Sequence, residues 1–142
     1  MPRDVRDYWR DLDDLRRVAG ADNEGALSQA FAALLKARAA EHKLILSQQH
    51  PFVAATGKAL RPDGALVDRV RLVHGWWEAK DSKDDLDKEI AAKLAKGYPA
   101  DNIVFEDTRT AVLIQNGQEA MRAATGDAEA LSRLLDRFFG FR

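Results

Sequence analysis

The sequence predicts a mixed α/β domain, with a central mixed sheet of four to five strands flanked by helices. Three observations predict this class. Apolar residues recur at helical spacing in two long segments near the N-terminus. Several short strand-like segments follow, separated by turn residues, and a charged helical segment interrupts them. The chain has 142 residues, enough for one domain with a substantial core, so we expect residues 1–142 to form a single domain.

Two helices are expected first. In residues 4–19 apolar side chains recur three or four positions apart among mixed charges, and Gly20 is expected to end this helix. Asp22-Asn23 offers an N-cap for a second helix that runs to about Glu41. That helix is rich in Ala and Leu, and its predicted buried stripe consists of Leu27, Ala30, Phe31, Leu34 and Leu35.

Three strands are expected in the middle of the chain, at residues 43–47, 65–68 and 72–80. The charged centre between the last two strands has turn character, so these strands are expected to form a hairpin. The Gln48-Gln49-His50 segment is followed by Pro51, which breaks the strand pattern. Residues 53–58 have turn character around Gly57, and we interpret the loop as a connection between strands rather than as a substrate contact.

The last third of the chain is expected to alternate between helix and strand. Its predicted elements are a charged helix at residues 82–96, strands at 102–105 and 110–114, a short helix at 118–124 and a last helix from Gly126-Asp127. Asn116-Gly117 is typical of a turn. The last helix has a predicted apolar stripe of Ala130, Leu131, Leu134, Leu135 and Phe138.

Composition limits the class of protein. The formal net charge is −1, from 22 basic and 23 acidic residues, whereas a self-sufficient nucleic-acid binder is usually basic. Any contact with DNA is therefore expected to depend on local patches or on other domains. No segment approaches the roughly 18 consecutive apolar residues of a membrane span, and no secretory signal is visible. With no cysteine in the chain, a cytoplasmic location without disulfides is expected.

The residues with the clearest chemistry are Asp63, Glu78 and Lys80 in the predicted hairpin. Side chains two apart in a strand point the same way, so Glu78 and Lys80 share one face. The midpoint between Asp63 and Glu78 falls between Val70 and Arg71, inside the predicted turn. An antiparallel fold there places Asp63 directly across from Glu78, roughly 5 Å apart at Cα.

Two facing carboxylates favour a divalent cation. Without one they repel each other and raise a pKa, and Mg²⁺ prefers one or two carboxylates with water and phosphate oxygens. The Ala79 carbonyl is a candidate further ligand. Lys80 is placed to orient or activate a water, or to stabilise charge on a phosphate. His74 lies on the same face of the strand, and we interpret it as structural.

At these residues the sequence resembles a known family. Pro62-Asp63 with Glu78-Ala79-Lys80 is similar to the motif of the PD-(D/E)xK nuclease superfamily, the restriction-endonuclease-like (Mrr-like) fold. More narrowly, the stretch at residues 75–81, the acidic run at 84–88 and Tyr98-Pro99 resemble the N-terminal nuclease domain of type ISP single-chain restriction–modification enzymes. The resemblance spans about residues 23–117.

The resemblance implies an endonuclease that hydrolyses phosphodiester bonds of double-stranded DNA with Mg²⁺, or with Mn²⁺ as a substitute. Asp63 and Glu78 are then metal ligands and Lys80 is the catalytic lysine. Glu24 matches an acidic residue that many members carry on the first helix, although the sequence alone favours a role at the helix terminus. Helicase and methyltransferase domains of the same parent protein are the implied partners.

One part of the family pattern is missing, and alternatives remain open. Many members carry a glutamine followed four residues later by tyrosine, whereas this chain reads Ala-Ala-Lys-Leu-Ala-Lys-Gly-Tyr at residues 91–98.

Three alternatives to a DNA-cleaving enzyme of this family are considered. They are a salt-bridged hairpin without chemistry, a non-cleaving DNA-binding or assembly module, and a structure-selective nuclease such as a junction resolvase. The three phenylalanines at residues 138–141 either fold back onto the core or mark a fragment of a longer protein, which we favour.

Overall fold

The computed structural model describes residues 1–19 and 24–141, without the side chains of Ala19 and Glu24. The predicted stop at Gly20 and the predicted cap at Asp22-Asn23 lie outside these described residues. The elements in chain order are α1 (Arg3–Ala19), α2 (Glu24–Glu41), β1 (Ile45–Gln48), β2 (Phe52–Val53), β3 (Ala59–Leu60), β4 (Gly64–Val67), β5 (Val73–Ala79), α3 (Leu86–Lys96), β6 (Asn102–Glu106), β7 (Thr110–Gln115), β8 (Gln118–Ala124) and α4 (Ala128–Phe139).

A single mixed sheet organises the chain, in the strand order β1-β4-β5-β6-β7-β8. Neighbouring strands are antiparallel except β5 and β6, which run parallel with α3 between them in sequence. The short strands β2 and β3 form a separate hairpin. This arrangement confirms the predicted fold class of a central mixed sheet flanked by helices. The sheet has six strands rather than four to five.

Each face of the sheet carries a hydrophobic core. The first core joins α1, α2 and α4 to the sheet, and it includes the predicted stripe of α2. The second core joins α3 and the β2–β3 hairpin to the opposite face. Trp77 belongs to the first core and Trp76 to the second, because successive side chains of a strand point to opposite faces of the sheet. Phe138 and Phe139 fold back into the first core.

The predicted helix at residues 118–124 is wrong, because this segment is the edge strand β8. Asn116 and Gly117 have positive φ values of 53° and 80°, the backbone of a tight hairpin turn. The turn directs β8 back along β7, from Gln115 opposite Gln118 to Thr110 opposite Ala124. Glutamine, alanine and methionine favour a helix locally, but pairing with β7 outweighs that weak preference.

Two element starts differ from the prediction for local reasons. The helix predicted from residue 82 begins at Leu86, because the Asp85 side chain caps it by accepting from the Lys88 N–H. The strand predicted from residue 43 begins at Ile45. Lys43 has a left-handed φ of 58° and the Leu44 N–H donates to the Ala39 carbonyl, so these residues close the end of α2.

Candidate active site and metal centre

The β4–β5 hairpin brings Asp63 and Glu78 together. Gly64 pairs with Trp77, so Asp63 and Glu78 are the next pair at the open end of the hairpin. The Asp63 N–H donates to Glu78 Oε1 at 3.0 Å, and the Ala79 N–H donates to Asp63 Oδ2 at 2.7 Å. The predicted antiparallel register is therefore confirmed, although a register shift occurs near the turn, between Leu66 and Val67.

Lys80 lies on the same side of the hairpin as Glu78. Its Nζ is 3.9 Å from Glu78 Oε2 and 3.4 Å from Glu89 Oε2 on α3. The Lys80 N–H donates to the Glu106 carbonyl at 2.8 Å, which fixes the backbone where the parallel strands β5 and β6 end. All three residues predicted from the motif thus converge, and Glu78 is only 4% exposed.

Lys93 is a member of this site that was not predicted from the sequence. From α3 its Nζ reaches Glu78 Oε2 at 3.1 Å, closer than the Nζ of Lys80. It also donates to the Tyr98 hydroxyl at 3.2 Å and lies 4.7 Å from the centre of that ring. Glu89 and Lys93 are four residues apart on α3, so they share one face of the helix, but this spacing alone does not show that the face meets the hairpin.

The loop after β1 also reaches the site, through Gln49. Gln49 Nε2 donates to Asp63 Oδ1 at 3.2 Å, and the Gln49 N–H donates to the Asp63 carbonyl at 2.8 Å. Arg61 in turn donates to the Gln49 carbonyl at 3.2 Å. Because Gln49 has a positive φ of 54°, the chain turns sharply where β1 ends and places this amide beside Asp63.

Burial and charge perturb the acids here. Burial raises the pKa of Glu78, and the Asp63 carboxylate raises it further, while Lys93 opposes both effects. Burial lowers the pKa of Lys93, but the Tyr98 hydroxyl and the Glu78 carboxylate outweigh it and raise the pKa overall. Glu106, on the first-core side, is fully buried, and burial raises its pKa to about 8. Acids whose pKa values are raised by burial and by a second carboxylate are typical of functional sites.

The donor set fits a hard divalent cation. Asp63 and Ala79 line one cleft of about 280 Å³ together with Gln48, Gln49 and Ser28. Among the described side chains, no group of three or more acids, histidines or cysteines converges as a metal site. Glu78 does not line this cleft, but its carboxylate lies beside Asp63, where Oε1 accepts from the Asp63 N–H. A cation between them would rest on the two carboxylates, the Ala79 carbonyl and solvent, a set that suits Mg²⁺.

Two further residues singled out from the sequence, Glu24 and His74, are not among the contacts described above. The side chain of Glu24 lies outside the described part, although its neighbour Gly25 lines the same cleft as Asp63. His74 lies towards the turn of the hairpin, where its Nε2 is 2.8 Å from Asp68 Oδ2. This contact supports its structural interpretation.

Comparison with solved structures shows that this chain is similar to known proteins. The chain resembles a protein in a cryo-EM structure of a DrdV–DNA complex, with 45% identity and a TM-score of 0.96. The match covers 98% of this chain and 14% of the other, so this chain spans about one seventh of that chain's length. No family model matches the sequence, and no curated protein matches it. No described helix is both long and apolar enough to cross a membrane.

Proposed function

We propose that this chain is the DNA-cleaving domain of a restriction enzyme, a metal-dependent endonuclease that hydrolyses phosphodiester bonds of double-stranded DNA. The observation that carries the proposal is the 45% identity, over 98% of the chain, to the protein of the DrdV–DNA complex. DrdV is a restriction enzyme. The convergence of Asp63, Glu78 and Lys80 adds independent chemical support.

In this proposal Asp63, Glu78 and the Ala79 carbonyl hold Mg²⁺, with Mn²⁺ as a substitute and Glu24 as an additional ligand. A cation held there would polarise the scissile phosphate and lower the pKa of an attacking water. Lys80 orients that water and stabilises charge on the phosphate, from a position 3.9 Å from the buried Glu78 carboxylate. Gln49 holds Asp63 in place through its amide and its backbone N–H.

The proposal also covers the parent protein of this domain. The parent protein is a single-chain restriction–modification enzyme, and the type ISP resemblance implies helicase and methyltransferase domains with it. The low net charge of −1 supports this arrangement, because a cutting domain held on DNA by other domains needs little positive charge of its own. The length of the parent reading frame tests this assignment directly.

Cleavage of a DNA duplex with Mg²⁺ or Mn²⁺ tests the proposal, in the isolated chain and in its parent. We expect Asp63→Asn, Glu78→Gln and Lys80→Met each to lower the cleavage rate by at least about 100-fold, because each removes a group that acts on the phosphate or its cation. Asp84→Asn and Lys88→Gln are matched controls on exposed side chains, and both should cleave at the wild-type rate.

If neither the folded chain nor its parent cleaves DNA with either metal, the enzyme proposal fails. DNA binding without cleavage would then favour a non-cleaving module. Loss of cleavage in the Asp84→Asn control as well as in the site variants would show that the assay reports folding rather than chemistry.

A further inference from the structure

The two oxygens of Glu78 have different partners. Oε1 accepts from the Asp63 N–H at 3.0 Å, which fixes the carboxylate on the hairpin. Oε2 faces two ammonium groups, Lys93 at 3.1 Å and Lys80 at 3.9 Å. The lysine of the motif is therefore the more distant partner, and Lys93 makes the close ion pair with this oxygen.

Lys93 is held in this position by its own surroundings. Its side chain is 17% exposed, and the Tyr98 hydroxyl and ring both contact its ammonium. Tyr98 is fixed in turn, because the left-handed Gly97 ends α3 and the Tyr98 N–H donates to the Lys93 carbonyl at 3.1 Å. The lysine and its tyrosine form one unit at the end of the helix.

We propose that Lys93 is the counter-ion of Glu78 in the metal-free site, that it yields Oε2 when a divalent cation binds, and that its ammonium then pairs with a DNA phosphate. The inference rests on the proposed function and assigns Lys93 as a positioning residue in it.

The charge balance of the site supports this exchange. Apart from Glu24, whose side chain lies outside the described part, its charged side chains are Asp63, Glu78, Lys80, Glu89 and Lys93. When all five are ionised, these side chains carry one net negative charge alone and one net positive charge with a divalent cation. An ammonium and a cation beside one carboxylate oxygen repel each other, so binding of the cation weakens the hold on Lys93. The phosphate of DNA is the anion that a positively charged site then receives.

Calorimetry with Mn²⁺ on the metal-free chain is the first test. Lys93→Gln should bind Mn²⁺ roughly fivefold more tightly than wild type, because a competing ammonium has been removed. Lys96→Gln is the matched control, since it makes the same charge change one turn along the exposed side of α3, and its affinity should stay at the wild-type value. Tyr98→Phe keeps the ring but releases the ammonium from the hydroxyl, and we expect a gain of about twofold.

DNA binding supplies a second test with the opposite sign. Lys80→Met, which is expected not to cleave, serves as the background, and anisotropy of a labelled duplex is measured with and without Mn²⁺. With Mn²⁺, adding Lys93→Gln should weaken binding about threefold and reduce the salt slope by about one. Without the metal it should change nothing, because Lys93 is then engaged by Glu78. A purely structural lysine would not produce effects of opposite sign on metal and DNA.

The outcomes separate the two proposals. Unchanged or weaker Mn²⁺ binding by Lys93→Gln overturns the role of Lys93 while the nuclease proposal stands. Absence of Mn²⁺ binding by wild type, together with absence of cleavage, overturns both. Circular dichroism and urea unfolding check that each variant is folded, and Tyr98→Phe decides the sign of the effect if Lys93→Gln does not fold.

Discussion

At the scale of the residue, Asp63 has a structural role as well as its proposed chemical one. Its carboxylate accepts from the Ala79 N–H at 2.7 Å, so the side chain takes the place of a strand carbonyl beyond the end of β4. Ala79 is 7% exposed, and its N–H has little access to water. The proposed metal ligand therefore also stabilises the open end of the hairpin.

This double role separates two substitutions that both remove the charge. Asp63→Asn keeps an oxygen for the Ala79 N–H, whereas Asp63→Ala leaves that buried donor without a partner. We expect Asp63→Ala to be less stable than Asp63→Asn by about 1–2 kcal/mol, although both lose cleavage. Urea unfolding in a chelator measures the difference. Equal stabilities would mean that water replaces the carboxylate at this donor.

Glu106 predicts a pH dependence of stability. Burial raises its pKa from 4.5 to about 8, so the folded protein holds a proton that the unfolded chain releases above about pH 4.5. The contribution of this group is fully present below pH 4.5 and is lost as the pH rises through about 8. Across that window we expect the free energy of unfolding to fall by up to about 1.4 kcal/mol per pH unit.

Urea unfolding between pH 5 and 9 tests this dependence. Glu106→Gln should flatten the profile because it cannot titrate, even if it lowers stability overall by disturbing the contacts with Trp77 and the Thr108 N–H. Glu41→Gln, at an exposed position, should keep the wild-type slope. A Glu106→Gln profile parallel to that of wild type would assign the slope to other groups.

At the scale of the element, the turn before β8 determines whether residues 118–124 form a strand. Gly117 has a φ of 80° and open space around its Cα, so alanine there is opposed by backbone conformation alone. We expect Gly117→Ala to cost about 1 kcal/mol in urea unfolding. Gly126→Ala is the matched control, since Gly126 is equally open and lacks a positive φ, and it should be nearly neutral. Equal costs at both positions would argue against the strained turn.

The same strand shows which elements local sequence can predict. The long helices and the central strands have periodic apolar patterns, and they lie close to where those patterns place them. Residues 118–124 carry helix-favouring side chains, and only pairing with β7 makes them a strand. The information that decided the outcome was in Asn116-Gly117, a strong hairpin signal that outweighs the propensity of the following residues.

The residues of the candidate site also differ in whether local sequence can predict their positions. Asp63 and Glu78 are joined by a local hairpin, so counting residues to its midpoint was enough to predict their register. Lys93 and Gln49 arrive from a helix and from a loop whose positions depend on packing across the whole sheet. Short motifs carry no information about such contacts, and these two residues were therefore missed.

At the scale of the whole molecule, the two cores hold the sheet from both sides and leave the site at the end of β5. The site side chains come from separate parts of the chain: the loop after β1, the β4–β5 hairpin and α3. The 22 basic and 23 acidic residues nearly balance, so the chain as a whole offers DNA little net attraction. Positive charge is concentrated at the site only when a cation is added.

This balance predicts weak and shallowly salt-dependent DNA binding by the isolated chain. A protein that neutralises Z phosphates loses affinity with a slope of about −0.9Z in log–log salt plots, so few phosphate contacts give a small slope. Anisotropy of a labelled duplex between 50 and 200 mM salt, with Mn²⁺ and the Lys80→Met chain, measures it. The parent protein carrying the same substitution should bind far more tightly and with a steeper slope. Submicromolar binding by the isolated chain at 150 mM salt would contradict the view that other domains supply the hold on DNA.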